Sequence, residues 1–176
     1  MVFEGKIWDV VREKFRYGEG TLVREFVAHP GAVAVLAIDA EQRVLLIRQY
    51  RHPVRSYLWE IPAGLLDQAG ESLEAAAARE LLEETGYVAE KLELLNSFMT
   101  TPGGNNEVIT VFLASDLKHV GHDLDLEGEE RDLLVEWVPL SEALQSVLAS
   151  EMRSPSAVVA IMAAAFKLGV SPATLG

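Results

Sequence analysis

Apolar positions along the chain fall into two rhythms. Ala32 to Ile38 and Val44 to Ile47 are short, nearly continuous apolar runs, and the polar stretch Asp39-Ala40-Glu41-Gln42-Arg43 joins them. That pattern predicts a hairpin of strands buried on both faces. Trp59-Glu60-Ile61 reads as a further strand stopped by Pro62, which has no N–H for a ladder; the chain then bends at Gly64 and Gly70 before a helix that begins near Ser72. Leu92 to Met99 and Val108 to Ala114 predict strands on either side of the turn-rich Thr101-Pro102-Gly103-Gly104-Asn105-Asn106, and Leu133 to Val138 predicts another after the acidic stretch Asp123 to Asp132. Helical spacing returns at Ser141 to Leu148, and Ser154-Pro155 offers an N-cap and a proline at the first position of a last helix that stops near Gly169. Between Val2 and Ala28 apolar residues are too sparse for a long helix, and Tyr17-Gly18-Glu19-Gly20 punctuates two short strands. The expected class is α/β: a small antiparallel sheet over residues 1–28 attached to one main domain over residues 29–176.

Composition narrows the function classes. The chain has 176 residues, 49% of them hydrophobic, enough for one sizeable core. Lys and Arg number 15 against 27 Asp and Glu, a net charge of −12, which repels nucleic acid and anionic membranes. No cysteine is present, so a metal can be held only by oxygen or imidazole. The N-terminal stretch carries acids from Glu4 onward and lacks the apolar core of a signal peptide, which predicts a cytoplasmic protein. The longest apolar stretch, near Ala157 to Phe166, is about half the roughly 20 residues that a membrane span needs.

The most informative segment is residues 64 to 87. On a helix starting near Ser72, Glu80, Glu83 and Glu84 stand at i, i+3 and i+4, with Ala75, Ala78, Leu81 and Leu82 expected on the opposite face. Like charges so placed cost about 0.2–0.5 kcal/mol per pair, and they sit at the negative end of the helix dipole just before Gly86. Two readings compete: a solvated face screened by water and helped by Arg79 or Lys91, or a site for a hard divalent cation such as magnesium. A second local anomaly is the run Gln42 to Trp59, which holds Arg43, Arg48, Arg51 and Arg55 and no acid. Guanidinium groups bind phosphate oxygens in pairs, so this stretch can draw in an anionic substrate that the rest of the surface repels; Arg51 is the expected phosphate contact, while Arg43 and Arg55 are candidates for ordinary pairing with surface acids.

These residues resemble the Nudix hydrolases. The family signature runs Gly, five residues, Glu, seven residues, Arg-Glu, an apolar residue, any residue, Glu-Glu, any residue, Gly, an apolar residue. This chain supplies Gly64, Glu71, Arg79-Glu80, Leu81, Glu83-Glu84, Gly86 and Tyr87, with six residues rather than five, Leu65 to Gly70, in the first gap. The resemblance implies a Nudix-type α/β/α sandwich of mixed sheet with flanking helices. It also implies metal ligation by Glu80, Glu83, Glu84 and the carbonyl of Ala63, with Glu71 and Arg79 orienting helix and loop.

From about Arg24 to Trp137 the chain is similar to the ADP-ribose pyrophosphatase branch, through Arg48-Gln49-Tyr50-Arg51, Leu58 to Gly64 and a proline, Pro102, about fifteen residues past Tyr87. That likeness implies hydrolysis of ADP-ribose to AMP and ribose 5-phosphate with Mg2+, or Mn2+ in its place. By the same likeness Glu107 contacts the terminal ribose and Glu129, with Glu130 close behind it, orders the attacking water, so that Glu129 and Glu83 are the catalytic candidates. It implies a homodimer built through the N-terminal sheet, with Arg24 and Glu25 reaching a neighbouring active site, and the aromatic and apolar Ile7, Trp8, Phe15 and Tyr17 are too many for an isolated flap to bury. Hydrolases of other sugar nucleotides or dinucleotides, and a non-catalytic ADP-ribose sensor, are the alternatives.

Overall fold

A computed structural model describes residues 1–121 and 133–173. The first two strands, β1 (Asp9–Tyr17) and β2 (Gly20–Ala28), form a two-stranded antiparallel ribbon that turns at Gly18, where φ is +59°. The expected short strands are nine residues each. The body that follows holds β3 (Ala32–Ala37), β4 (Arg43–Arg51), β5 (Ser56–Glu60), β6 (Ala63–Leu65), helix α1 (Leu73–Thr85), β7 (Tyr87–Met99), β8 (Val108–His119), β9 (Leu134–Pro139), α2 (Leu140–Leu148) and α3 (Pro155–Leu168).

These strands make a mixed sheet in the order β6-β3-β8-β7, in which β3 and β8 run parallel, and an antiparallel sheet in the order β5-β4-β9. The hairpin expected of β3 and β4 is therefore corrected. The chain does turn between them, but only Ile38 and Val44 bridge, because β6 and β8 occupy the two edges of β3 while β5 and β9 occupy those of β4.

Burial on both faces holds, and the alternation of side chains explains it. Val33, Val35 and Ala37 of β3 pack with Leu45, Phe112 and Ala114 and with Ala76, Ala77 and Leu81 of α1. Ala34, Leu36 and Ile38 pack the other way, with Val44, Leu46, Val111 and Leu113, against Leu140 and Leu144 of α2 and Ala157, Ile161 and Ala164 of α3. One sheet layer thus feeds two cores, and helices close both.

The helix ends follow the sequence signals with one exception. Ser72 caps α1 by accepting the Ala75 N–H at 3.2 Å, and Gly86, at φ +71°, ends it in the left-handed region that favours glycine. Ser154 precedes α3 as expected, yet its hydroxyl makes no cap bond; it meets the Ser156 hydroxyl at 3.2 Å, and Pro155 fixes the first turn instead. No helix among the described residues is long and apolar enough to cross a membrane.

Candidate active site

Strand β6 and helix α1 carry the candidate metal-binding residues, and the helix sits on the sheet in a rotation that sequence spacing did not anticipate. Its buried side is Ala76, Ala77, Leu81, Glu84 and Thr85, while Ala75 and Ala78 are exposed. Positions 77, 81 and 84 lie on one 3.6-residue stripe, so packing Ala77 and Leu81 into the core carries Glu84 inward with them. The Glu84 carboxylate, on a residue 8% exposed, accepts the Ala63 N–H at 2.9 Å. Glu80 presses its carboxylate against the backbone of Gly64, where a Cβ would collide with it; glycine is required there for close approach, not for a turn.

Arg79 sits among the remaining acids. Its Nε and Nη2 donate to the two oxygens of Glu71, each at 3.0 Å, and its Nη1 donates to Glu80 at 2.6 Å and Glu83 at 3.0 Å. The extra residue before Glu71 is taken up by the loop, where the Glu71 N–H donates to the Gln68 carbonyl and Gly70 adopts φ +84°; Glu71 still reaches the guanidinium with both oxygens.

The hydrogen bonds to Arg79 hold the Glu71 carboxyl below its ordinary range, and those to Glu71 first of all push the guanidinium higher still. Burial dominates at Glu80 and raises its carboxyl, partly offset by Arg79. The Glu80 side chain is only 12% exposed, so a merely solvated face does not describe that position, whereas the Glu83 side chain is 46% exposed. The expected ligands are brought together in part: Glu80 and Glu83 share Arg79, Glu84 faces Ala63 through its N–H, and among the described residues no group of three acids or imidazoles converges closely enough to hold an ion as arranged.

The substrate-side expectations meet different surroundings. Arg51 forms a two-pronged pair with Glu60, at 3.0 and 2.8 Å, and Glu60 is buried. Arg43 pairs with Asp39 at 2.7 Å, the ordinary ion pair that its place in the sequence allowed, and Arg48 lies over the rings of Tyr57 and Trp59. Glu107 accepts the Thr100 hydroxyl at 2.6 Å and faces His29 Nε2 at 3.3 Å. Arg24 and Glu25 lie on the ribbon, where Glu25 pairs with Arg12 and Arg24 donates to the Val23 carbonyl. Glu129 and Glu130 lie outside the described residues.

A family profile for the NUDIX domain matches residues 28–158. This chain belongs to the Nudix hydrolase family. It is 40% identical over 160 residues to an ADP-ribose pyrophosphatase of Mycobacterium tuberculosis, covering 90% of this chain and 77% of that protein. It is likewise 40% identical over 161 residues to an ADP-ribose pyrophosphatase of Bacillus subtilis, covering 91% of this chain and 86% of its relative. Among solved structures, one described as an ADP compounds hydrolase superposes with a TM-score of 0.78 at 24% identity, over 94% of this chain and 89% of that one, which establishes the Nudix fold.

Hydrolases of this family use divalent metal ions. The donor set fits one in chemistry: Glu71, Glu80 and Glu83 surround the Arg79 guanidinium, Glu84 stands against the Ala63 N–H, all are hard oxygen donors, and Gly64 leaves open backbone beside Glu80. Two concavities of about 570 and 290 Å3, one between α3 and β7 and one beside α2 and β9, contain none of these Nudix box residues.

Sequence reasoning missed Glu60, Thr100 and His29. An acid inside the apolar run Trp59-Glu60-Ile61 was a usable signal for the first; nothing in the residue types distinguishes Thr100, which bonds Glu107 within its own loop, or His29, whose partner is distant in sequence.

Proposed function

We propose that this Nudix hydrolase cleaves the pyrophosphate bond of ADP-ribose, releasing AMP and ribose 5-phosphate, with Mg2+ as its metal and Mn2+ able to replace it. The observation that carries the reading is the anchoring of α1 on β6: Glu84 buried against the Ala63 N–H and Glu80 fitted to bare Gly64 backbone. Carboxylates desolvated in this way favour a cation partner over water. The 40% identity to two ADP-ribose pyrophosphatases supports the substrate.

Glu80, Glu83, Glu84 and the Ala63 carbonyl would hold the ion, which when bound neutralises pyrophosphate oxygens and makes a water more acidic. Arg79, gripped by Glu71, keeps Glu80 and Glu83 oriented. Arg51, steadied by Glu60, contacts phosphate, and Glu107 accepts a hydroxyl of the terminal ribose. Glu129, with Glu83 as its catalytic companion, takes the proton of the attacking water as the bridging P–O bond breaks.

The protein is read as a cytoplasmic homodimer, residues 1–28 forming the dimerisation segment and residues 29–176 the hydrolase domain. The ribbon's Ile7, Trp8, Phe15 and Tyr17 are exposed, which supports pairing with a second copy, and Arg24 and Glu25 would then stand at the neighbour's site. Product analysis across ADP-ribose, a GDP-sugar, a flavin dinucleotide and a dinucleoside polyphosphate tests the substrate. ADP-ribose should give the highest kcat/KM; rapid cleavage of another compound with ADP-ribose untouched would overturn the substrate and spare the family.

A further inference from the structure

His29 follows β2 in the link to β3, and both of its ring nitrogens have assigned work. The Gly31 N–H donates to Nδ1 at 3.0 Å, so that nitrogen must present a lone pair. The neutral ring therefore carries its proton on Nε2, which points at Glu107 Oε1, 3.3 Å away. The other carboxylate oxygen of Glu107 accepts the Thr100 hydroxyl at 2.6 Å, and the Glu107 N–H donates to Asn105 Oδ1 at 3.1 Å. The His29 side chain is 6% exposed and lies 5.7 Å, ring centre to ring centre, from Trp8.

The same link is stitched to the loop before β8 at the backbone: the His29 N–H donates to Asn106 Oδ1 at 2.8 Å, and the Val27 N–H to the Gly104 carbonyl at 3.0 Å. The Glu107 carboxylate, 18% exposed, accepts the Thr100 hydroxyl at one oxygen, and 3.3 Å from the other stands the Nε2 of a ring whose tautomer is set by a backbone N–H 2 residues on.

We infer that His29 is the positioning residue for Glu107: through Nε2–H it fixes the carboxylate that receives the substrate's ribose hydroxyl, and so sets substrate affinity without touching the reacting atoms. This rests on the reading of Glu107 as a ribose contact. Two substitutions divide the work of the ring. In His29→Gln the side-chain amide reaches the place of Nε2 and keeps a donor for Glu107; in His29→Asn the side-chain oxygen takes the place of Nδ1, keeps the Gly31 bond and loses that donor.

With ADP-ribose and Mg2+, His29→Asn should raise KM about 10- to 100-fold, the range for one hydrogen bond to a charged group, with kcat within about twofold and His29→Gln close to the parent. Combining His29→Asn with Glu107→Gln should raise KM no further than the worse single change, since both disable one unit. Equal effects of the Asn and Gln variants, or effects that multiply in the double variant, would overturn the inference. A normal KM in Glu107→Gln alone would remove the ribose contact and the inference with it. Long-range 1H–15N NMR reads the ring without any substrate: neutral His29 should show the Nε2–H tautomer, and an Nδ1–H tautomer overturns the positioning role even if ADP-ribose hydrolysis stands.

Discussion

At the scale of single residues, the acidic helix works because two small features let carboxylates leave water. One is the missing side chain at Gly64. Gly64→Ala places a methyl group where the Glu80 carboxylate lies, so that side chain must swing away from the strand; urea unfolding should show a loss at or below the about 1–3 kcal/mol of core overpacking, and turnover should fall by more than that loss of stability explains. The other is Arg79, among the described residues the cation that bonds Glu71, Glu80 and Glu83.

The carboxyl of Glu80 is raised chiefly by burial, which disfavours its charged form in the metal-free fold relative to the unfolded chain. A folded-state pKa above the unfolded one gives a contribution that is complete at low pH and disappears as pH rises through the raised value. In EDTA, Glu80→Gln should therefore gain thermal stability relative to the parent as pH goes from about 4 to about 8. A parent protein that gains on the variant over that range would contradict the burial argument. Glu71 has the opposite sign: Arg79 lowers its carboxyl, so its contribution is present above the ordinary carboxylate range and fades as pH falls through the lowered value.

At the scale of elements, the decisive event is the way α1 rolls onto the sheet. Its bounds were legible in Ser72 and Gly86 because caps are local chemistry, and Gly86→Ala, which forces a Cβ into φ +71°, should cost about 1–2 kcal/mol by chemical denaturation without changing KM. Its rotation was not legible. Ala75 and Ala78 are as apolar as Ala76 and Ala77, and only the sheet beneath decides which pair is buried, so the arrangement of Glu84 opposite Ala63 had to come from tertiary packing.

The same reason explains the hairpin that became two sheets. Periodicity reports how many faces of β3 and β4 are buried, whereas the choice of neighbour is made by β6 and β8 on one side and β5 and β9 on the other, over long separations. The Nudix box itself was readable because its residues lie within one loop and one helix. Glu60 beneath Arg51 and His29 beside Glu107 were not: the first pair depends on the register of β4 against β5, and the second joins elements far apart in the chain.

At the scale of the whole molecule, the ribbon meets the body among the described residues at the Val27 to Asn105 bridge, at His29 and at the Trp8 ring. Phe15 and Tyr17 lie two residues apart on one face of β1 and are exposed, an arrangement suited to a second ribbon. In the proposed homodimer, changing both to Asp should weaken self-association at least about tenfold in sedimentation equilibrium, as expected on removing aromatic anchors from an interface. Sedimentation that is the same for parent and variant would contradict a dimer contact through the ribbon.

The net charge of −12 repels an anionic substrate at long range, and a cation held by the acidic helix would offset that repulsion, which joins the charge of the whole chain to the chemistry of one helix. The most direct test is therefore the appearance of AMP from ADP-ribose, followed by chromatography with MgCl2, with EDTA, and with Glu84→Gln in MgCl2. AMP should form with magnesium, stop in EDTA, and slow by about two or more orders of magnitude in the variant while its circular dichroism stays that of the parent. Undiminished AMP production in EDTA, or from the Glu84 variant, would contradict the assignment of the acidic helix as the metal-dependent centre.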